Sequence, residues 1–143
     1  MDIQIRPALE SDFEEIRQFL LTLGYGSRVE DPFRFYRMLN NSTRKIIALE
    51  SGVIVGFVRA LSDNISNGLI SMLAVSNENR KNGVGTQLIE HLIGEDPHIT
   101  WILRIKEDSG LEKFYKNLGF QVSSITLEKD RSIGPLPKKL SKS

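Results

Sequence analysis

The chain contains no cysteine. Disulfide scaffolds, thiolate zinc sites and cysteine nucleophiles are therefore excluded. Charge of one sign is also lacking: 19 lysines and arginines stand against 18 acidic residues, for a formal net charge of +1. That balance leaves no general footprint for nucleic acid or an anionic membrane, although a local basic site remains compatible with it. No apolar run approaches the roughly 20 residues that span a bilayer. The opening segment MDIQIRPALE does not place a basic stretch before an apolar one, as a secretory signal would. The expectation is a cytoplasmic protein without a nucleic-acid or membrane partner. Aromatics are scarce at 8%, which argues against a peptide-interaction domain working through the basic tail KKLSKS.

What is present suits one domain of ordinary size. The chain has 143 residues, and 40% of them are apolar, enough for one real core. Residues 1–130 are read as a single domain and 131–143, with their prolines and lysines, as a loose C-terminal tail. IQIRPA (3–8) is a strand candidate. SDFEEIRQFLLTL (11–23) has a helical period. Phe13, Ile16, Phe19, Leu20 and Leu23 share one face, Ser11 and Glu14 have capping-box spacing, and the glycine of GYGS is the stop. Asp31 before Pro32 marks the start of a second helix running to about Asn40. RKIIALE and VIVGFVRALS form a hairpin about Gly52, and Gly56 inside the second strand signals a bulge or a close backbone approach. GLISMLAV carries no charge and is expected to be central, covered on both faces. A helix burying Val84, Leu88, Ile89, Leu92 and Ile93 follows. ITWILRI (99–105) is a further strand. Ser109 and Glu112 open a last helix with Leu111, Phe114, Tyr115 and Leu118 on its apolar side, and GFQVSSITLEK returns to strand character. The class is α/β with a mixed sheet.

One junction carries chemistry. ENRKNGVGTQ (78–87) joins the apolar strand to the next helix and holds Gly83, Gly85, Arg80 and Lys81. A helix N-terminus offers unpaired N–H groups and partial positive charge, and glycines admit a ligand close to the backbone, so phosphate is the natural guest. The P-loop fails because no lysine follows either glycine. The dinucleotide fingerprint fails because Leu88 stands where its third glycine belongs. What remains is R-x-x-G-x-G, Arg80-Lys81-Asn82-Gly83-Val84-Gly85. With LAV before it, an amphipathic helix after it and FYKNLGF (114–120) downstream, this resembles the GNAT superfamily of acyl-CoA-dependent N-acetyltransferases over about residues 3–129.

The resemblance implies a mostly antiparallel central sheet of six or seven strands with about four helices and splayed central strands. It implies acetyl-CoA as co-substrate and no metal. The pantetheine arm would pair with the backbone of Leu73, Ala74 and Val75. N–H groups from Arg80 through Lys81, Asn82, Gly83, Val84 and Gly85 to Thr86 would hold the pyrophosphate, with charge from Arg80 or Lys81. Tyr115 matches the family's general acid toward the departing thiolate; the alternative is packing on its apolar face with the hydroxyl bonded locally. Three departures stand out. GLISMLAV has no acid, and Leu103 occupies a place where some relatives have glutamate, so the base falls to water, a neutral fraction of the amine, or a loop acid among Glu30, Asp31 and Asp63. His91 and His98 read as surface residues. Asp108 stands near a position where relatives often have asparagine. Only one good strand fits after Gly119-Phe120, so a seventh is missing or comes from a partner subunit in a homodimer.

For the amine acceptor, the first helix–helix loop offers Tyr25, Arg28, Glu30 and Asp31. Arg59 and Arg104 either face the cleft, where each would bind a carboxylate bidentately, or snorkel to water, which is the commoner outcome. The expected activity is direct acetyl transfer to a primary amine in a ternary complex. The alternative is a non-catalytic CoA-binding regulatory module of the same fold.

Overall fold

In the computed structural model, which describes residues 2–131, the elements run β1 (Ile3–Pro7), α1 (Phe13–Thr22), α2 (Gly26–Val29), α3 (Pro32–Asn40), β2 (Arg44–Glu50), β3 (Val53–Ser62), β4 (Asn67–Val75), α4 (Val84–Ile93), β5 (Thr100–Ile102) and α5 (Leu111–Asn117). Two compact units contain them, one ending at Arg104 and the other beginning at Ile105. The expected tail lies outside the described residues except for Arg131.

The first unit holds a sheet in the order β1-β2-β3-β4-β5. The first four strands pair antiparallel in sequence and β5 joins β4 in parallel. The class is the expected mixed, mostly antiparallel one, but the described sheet has five strands rather than six or seven. ITWILRI contributes only Thr100–Ile102. GFQVSSITLEK forms no strand, and its Val122, Ile125 and Leu127 are 75%, 88% and 93% exposed. Strand character needs an edge to pair with, and propensity does not supply one.

Local chemistry sets the helix ends. Asp31 caps α3 as expected, accepting from the N–H groups of Phe33 and Arg34 at 3.1 and 3.3 Å, with Pro32 in the first turn. Ser11 is not the cap of α1. A 3-10 turn at Glu10–Asp12 precedes that helix, and the Asp12 carboxylate accepts from Leu9 N–H and from Arg6, each at 2.8 Å. Glu14 instead binds Arg17, Gln18 and Tyr36. Arg17 extends to the carbonyls of Val29 and Glu30, fastening the one-turn helix α2 within the segment expected to be loop. Ser51 and Gly52 both have positive φ, 51° and 79°, the geometry of a two-residue hairpin turn between β2 and β3.

Two cores sandwich the sheet. Phe13, Ile16, Leu20, Phe35 and Leu39 of α1 and α3 pack on Ile47, Phe57, Met72 and Ala74. Alternation turns Gly56 to the opposite face, where α4 lies so close that a Cβ on Gly56 would stand 2.8 Å from Leu88 and 3.1 Å from Val84. Val84, Leu88, Ile89 and Leu92 of α4 are fully buried as expected, while Ile93 is half-buried. β4 is covered on both faces only at its end: Asn67–Ile70 alternates exposed and buried, whereas Ala74 and Val75 are both buried.

Candidate functional site

β4 and β5 are held together at one end and part at the other. Their pairing covers only Asn67–Leu69 against Thr100–Ile102. At that end the Trp101 ring lies over Gly68, so close that a Cβ there would be 2.2 Å from it. The Arg44 guanidinium lies over the ring, 4.9 Å from its centroid, while its N–H groups cap α4 through the carbonyls of Leu92 and Ile93 at 2.6 and 3.0 Å. Just beyond, Arg59 faces Met72 and Ala60 faces Ile70, which leaves Ser71 as an extra residue. Such a bulge bends its strand and increases the local twist, and no β4–β5 pairing continues past it.

The parting exposes backbone. Ser76 N–H donates to Val55 O at 2.9 Å, so residue 76 turns its backbone groups toward β3. Alternation then turns those of Ala74 the same way and those of Leu73 and Val75 to the open side. Two side chains reach these carbonyls: the Tyr25 hydroxyl makes a long 3.5 Å contact with Leu73 O, and Arg80 Nε donates to Val75 O at 3.2 Å. Of the three expected pairing residues, Leu73 and Val75 turn their backbone away from β3, with their carbonyls contacted by Tyr25 and Arg80, whereas Ala74 spends its backbone on β3.

The glycine junction follows directly. After a 3-10 turn at Asn77–Asn79, Gly83 adopts φ +81° as the residue before α4. A Cβ on Gly83 would touch nothing within 4 Å, so the demand for glycine is conformational. No side chain caps α4, which leaves the first-turn amides at Val84, Gly85 and Thr86 to a ligand or solvent. Asn82 N–H is turned inward to Asn79 O at 3.3 Å. Arg80 and Lys81 are both exposed. Anchored to Val75 O, Arg80 ties the cradle to the open strand edge.

In the second unit, FYKNLGF is a helix stop. Phe120 N–H donates to Tyr115 O and Gly119 N–H to Lys116 O, both at 3.0 Å, the hydrogen-bond pair of a Schellman cap. The Tyr115 ring packs edge-on against Phe114 and Phe120, at 4.9 and 5.5 Å between centroids, and the residue is buried. FLLTLGY at the end of α1 closes the same way: Tyr25 N–H donates to Leu20 O and Gly24 N–H to Leu21 O, both at 3.1 Å. The spacing Tyr115–Gly119–Phe120 is thus explained by helix termination, as is Leu20–Gly24–Tyr25. Ser109 Oγ accepts from Leu111 N–H at 3.3 Å at the start of α5, while Glu112 pairs with Lys116. Asp108 adopts a left-handed φ of 59°.

The candidate bases fare unequally. The Asp63 carboxylate accepts from the N–H groups of Ile65, Ser66 and Asn67 and from the Ser66 hydroxyl, at 2.7–3.1 Å. Those bonds hold it far below the ordinary carboxylate range. A carboxylate so stabilised is a poor proton acceptor, and Asp63 is corrected to an organiser of the β3–β4 loop. Asp31 is spent on the cap of α3. Glu30 is exposed, and its side chain has no hydrogen-bond partner among the described residues. His91 and His98 are exposed, as expected, with Nδ1 near Gln87 O at 2.9 Å and Asp96 at 3.2 Å respectively.

Arg59 overturns its expectation. It does not snorkel: only 9% of it is exposed. It shares the α1–α3 face with Phe57, where Nη1 donates to Ser42 Oγ at 3.2 Å and Nη2 to Ser71 Oγ at 3.0 Å. Its Nε has no partner. Burial, and secondarily Arg28, lower its pKa. Arg28 itself lies over the Tyr25 ring, 5.5 Å from the centroid. Arg104 is exposed and lies beyond the end of β5. Sequence reading missed Ser42 and Ser71; the single hydroxyl inside GLISMLAV was the available hint of a bulge.

Comparison with known proteins agrees with this geometry. Solved structures share the fold. A GNAT-family acetyltransferase from Streptococcus pneumoniae is 18% identical, with 92% of this chain and 98% of that one covered at a TM-score of 0.72. The aminoglycoside N-acetyltransferase AAC(6')-Iy, solved with CoA, is 16% identical over 91% and 95% at 0.74. Glucosamine-6-phosphate N-acetyltransferase from Arabidopsis thaliana is 19% identical over 92% and 100% at 0.65. No curated protein matches the chain by sequence. Residues 26–133 match the acetyltransferase (GNAT) domain. A match of that extent takes in the open β4 edge, the glycine cradle and the Tyr115 helix together, and the chain belongs to the GNAT acetyltransferases.

Proposed function

We propose that the protein is an N-acetyltransferase that moves an acetyl group from acetyl-CoA directly to a primary amine. The observation that carries this reading is the continuity of the open Leu73 and Val75 edge with the uncapped N-terminus of α4. An extended pantetheine arm needs peptide-like partners, and a pyrophosphate needs convergent N–H groups; the two lie one loop apart here. Two fold relatives are named for N-acetylation of an aminoglycoside and of glucosamine-6-phosphate, which supports an amine as the acceptor class.

Acetyl-CoA supplies the activated thioester. The amine nitrogen attacks its carbonyl, the C–S bond breaks, and Tyr115 gives its phenolic proton to the departing thiolate. With Asp63 and Asp31 committed to backbone groups, proton loss from the amine falls to solvent, to its neutral fraction or to Glu30, the loop acid left uncommitted. The rate then rises with pH toward the pKa of the amine itself. That same lack of a poised carboxylate favours the second reading, a CoA-binding regulatory module without turnover.

Calorimetry with acetyl-CoA, followed by thiol release across an amine panel, separates them. Absence of acetyl-CoA binding defeats both readings. Binding without turnover on any amine leaves the regulatory module. Loss of turnover in Glu30→Gln at unchanged acetyl-CoA binding would place the base on Glu30 instead.

A further inference from the structure

Arg59 is a buried cation without an anion. It is nine-tenths buried, its hydrogen bonds go to two neutral hydroxyls, its Nε is unpartnered, and no carboxylate among the described residues pairs with it. Its surroundings add positive charge. Lys45 stands opposite Arg59 in the β2–β3 register and donates to the Ser42 carbonyl at 2.9 Å. Arg28 is near enough to act on it electrostatically. Burying a guanidinium is costly unless a counter-charge compensates it, and truncating the residue to an apolar one of similar volume is often neutral or stabilising. A chain that keeps such a group has a use for it outside its own fold.

Position suggests that use. Arg59 is tied to Ser71, the extra residue at which β4 leaves β5. Tyr25, beneath Arg28, reaches Leu73 O on the open edge two residues further on. The arginine is therefore beside the point where the strands part, on the α1–α3 face rather than the α4 face that carries the glycine cradle. Its two hydroxyl partners hold the guanidinium plane in place, and its buried Nε finds no acceptor among the described residues. Planar forks of this kind recognise carboxylate and phosphate oxygens bidentately.

We propose that the acceptor of this enzyme is an amine that also bears an oxyanion, carboxylate or phosphate, which docks on Arg59 with Arg28 as the outer cation. This rests on the N-acetyltransferase reading for the reaction, but the anion site stands or falls by itself. The same two arginines repel acceptors that carry only cationic groups.

The test uses matched pairs on the full chain: an amino acid against its carboxamide, an amino-sugar phosphate against the unphosphorylated amino sugar, and one aminoglycoside as the polycation. Binding of each is measured by calorimetry with and without acetyl-CoA, and turnover by thiol release. The anionic member of one pair is expected to be favoured at least tenfold, and which pair shows the preference tells carboxylate from phosphate. Arg59→Met should abolish that preference, keep acetyl-CoA binding within twofold, and melt no lower than the wild type. Arg59→Lys, which keeps the charge without the fork, should recover only part of it. Equal or better use of the neutral and cationic members, or no binding of any anionic probe, overturns the proposal. So does an Arg59→Met protein that melts well below the wild type and loses acetyl-CoA binding in parallel, because that assigns Arg59 to the fold. Loss of acetyl-CoA binding by the wild type defeats the transferase reading and leaves the anion-binding arm readable.

Discussion

Gly56→Ala tests how the sheet positions the glycine cradle. The added methyl would stand 2.8 Å from Leu88 Cδ1, 3.1 Å from Val84 Cγ1 and 3.3 Å from Ala48 Cβ. All three neighbours are fully buried, so none can swing into solvent. Overpacking of this kind costs about 1–3 kcal/mol. Alanine recovers about 0.5–1 kcal/mol relative to glycine inside a strand, so the net loss is about 1–2 kcal/mol. For a chain of this size that lowers Tm by roughly 2–8 °C. Val84 and Leu88 belong to the first turns of α4, so relief of the clash displaces the amides assigned to pyrophosphate. The acetyl-CoA dissociation constant should then rise about fivefold, the equivalent of ~1 kcal/mol. Calorimetry and thermal unfolding of Gly56→Ala, Leu88→Ala and the double variant form a cycle. Leu88→Ala alone costs about 2–5 kcal/mol. It removes the closest atom, so the double variant should be at least about 1 kcal/mol more stable than the sum. A Gly56→Ala protein that melts higher than wild type, or additive effects, would refute the claim that α4 is seated by this contact.

Tyr115→Phe keeps the ring packing and the helix stop, and turnover should fall at least tenfold at unchanged acetyl-CoA affinity; an unchanged rate removes Tyr115 from the chemistry. Gly83→Ala forces a side chain to φ +81° with nothing to strike, so its cost is conformational, about 1–2 kcal/mol, read as a lower Tm and weaker acetyl-CoA binding in calorimetry. Gly68→Ala drives a methyl into the Trp101 ring and should shift tryptophan fluorescence and lower Tm, whereas an unmoved spectrum would mean that the ring does not clamp β5. Acid should destabilise the protein through Asp63 and Glu14, whose folded pKa values are depressed, Glu14 down to about 2. Their contribution is present above the unfolded carboxylate values near pH 4 and is lost as pH falls through the folded ones, so the Tm gap between wild type and Asp63→Asn should close below about pH 4.

Much of this was legible because its causes are local. Asp31-Pro32, the glycine stop at Gly24, the turn at Gly52 and the apolar period of α4 act within a few residues of themselves, and the chain carries them wherever it folds. The R-x-x-G-x-G junction belongs here too, since Gly83 answers a conformational demand of the loop alone. The same locality misleads at Tyr115: the spacing that marks the family's second signature also ends α1, where FLLTLGY closes through the same pair of hydrogen bonds.

Other features depend on partners far along the chain. Ser11-x-x-Glu14 has capping spacing, yet Arg6 holds Asp12 and an extra 3-10 turn forms before α1. ITWILRI and GFQVSSITLEK have strand composition, yet only three residues of the first find an edge. The parting of β4 and β5 needs Trp101 on Gly68 at one end and an unopposed Ser71 beyond it. The burial of Arg59 needs Ser42 and Ser71 brought together from 29 residues apart. The sequence by itself determined the longer helices, the Asp31 cap and the glycine junction before α4, because backbone dihedrals and capping bonds are short-range. Only the tertiary structure decided where the sheet opens and which charge lies inside it, because register and desolvation are set by contacts that exist only once the chain has folded.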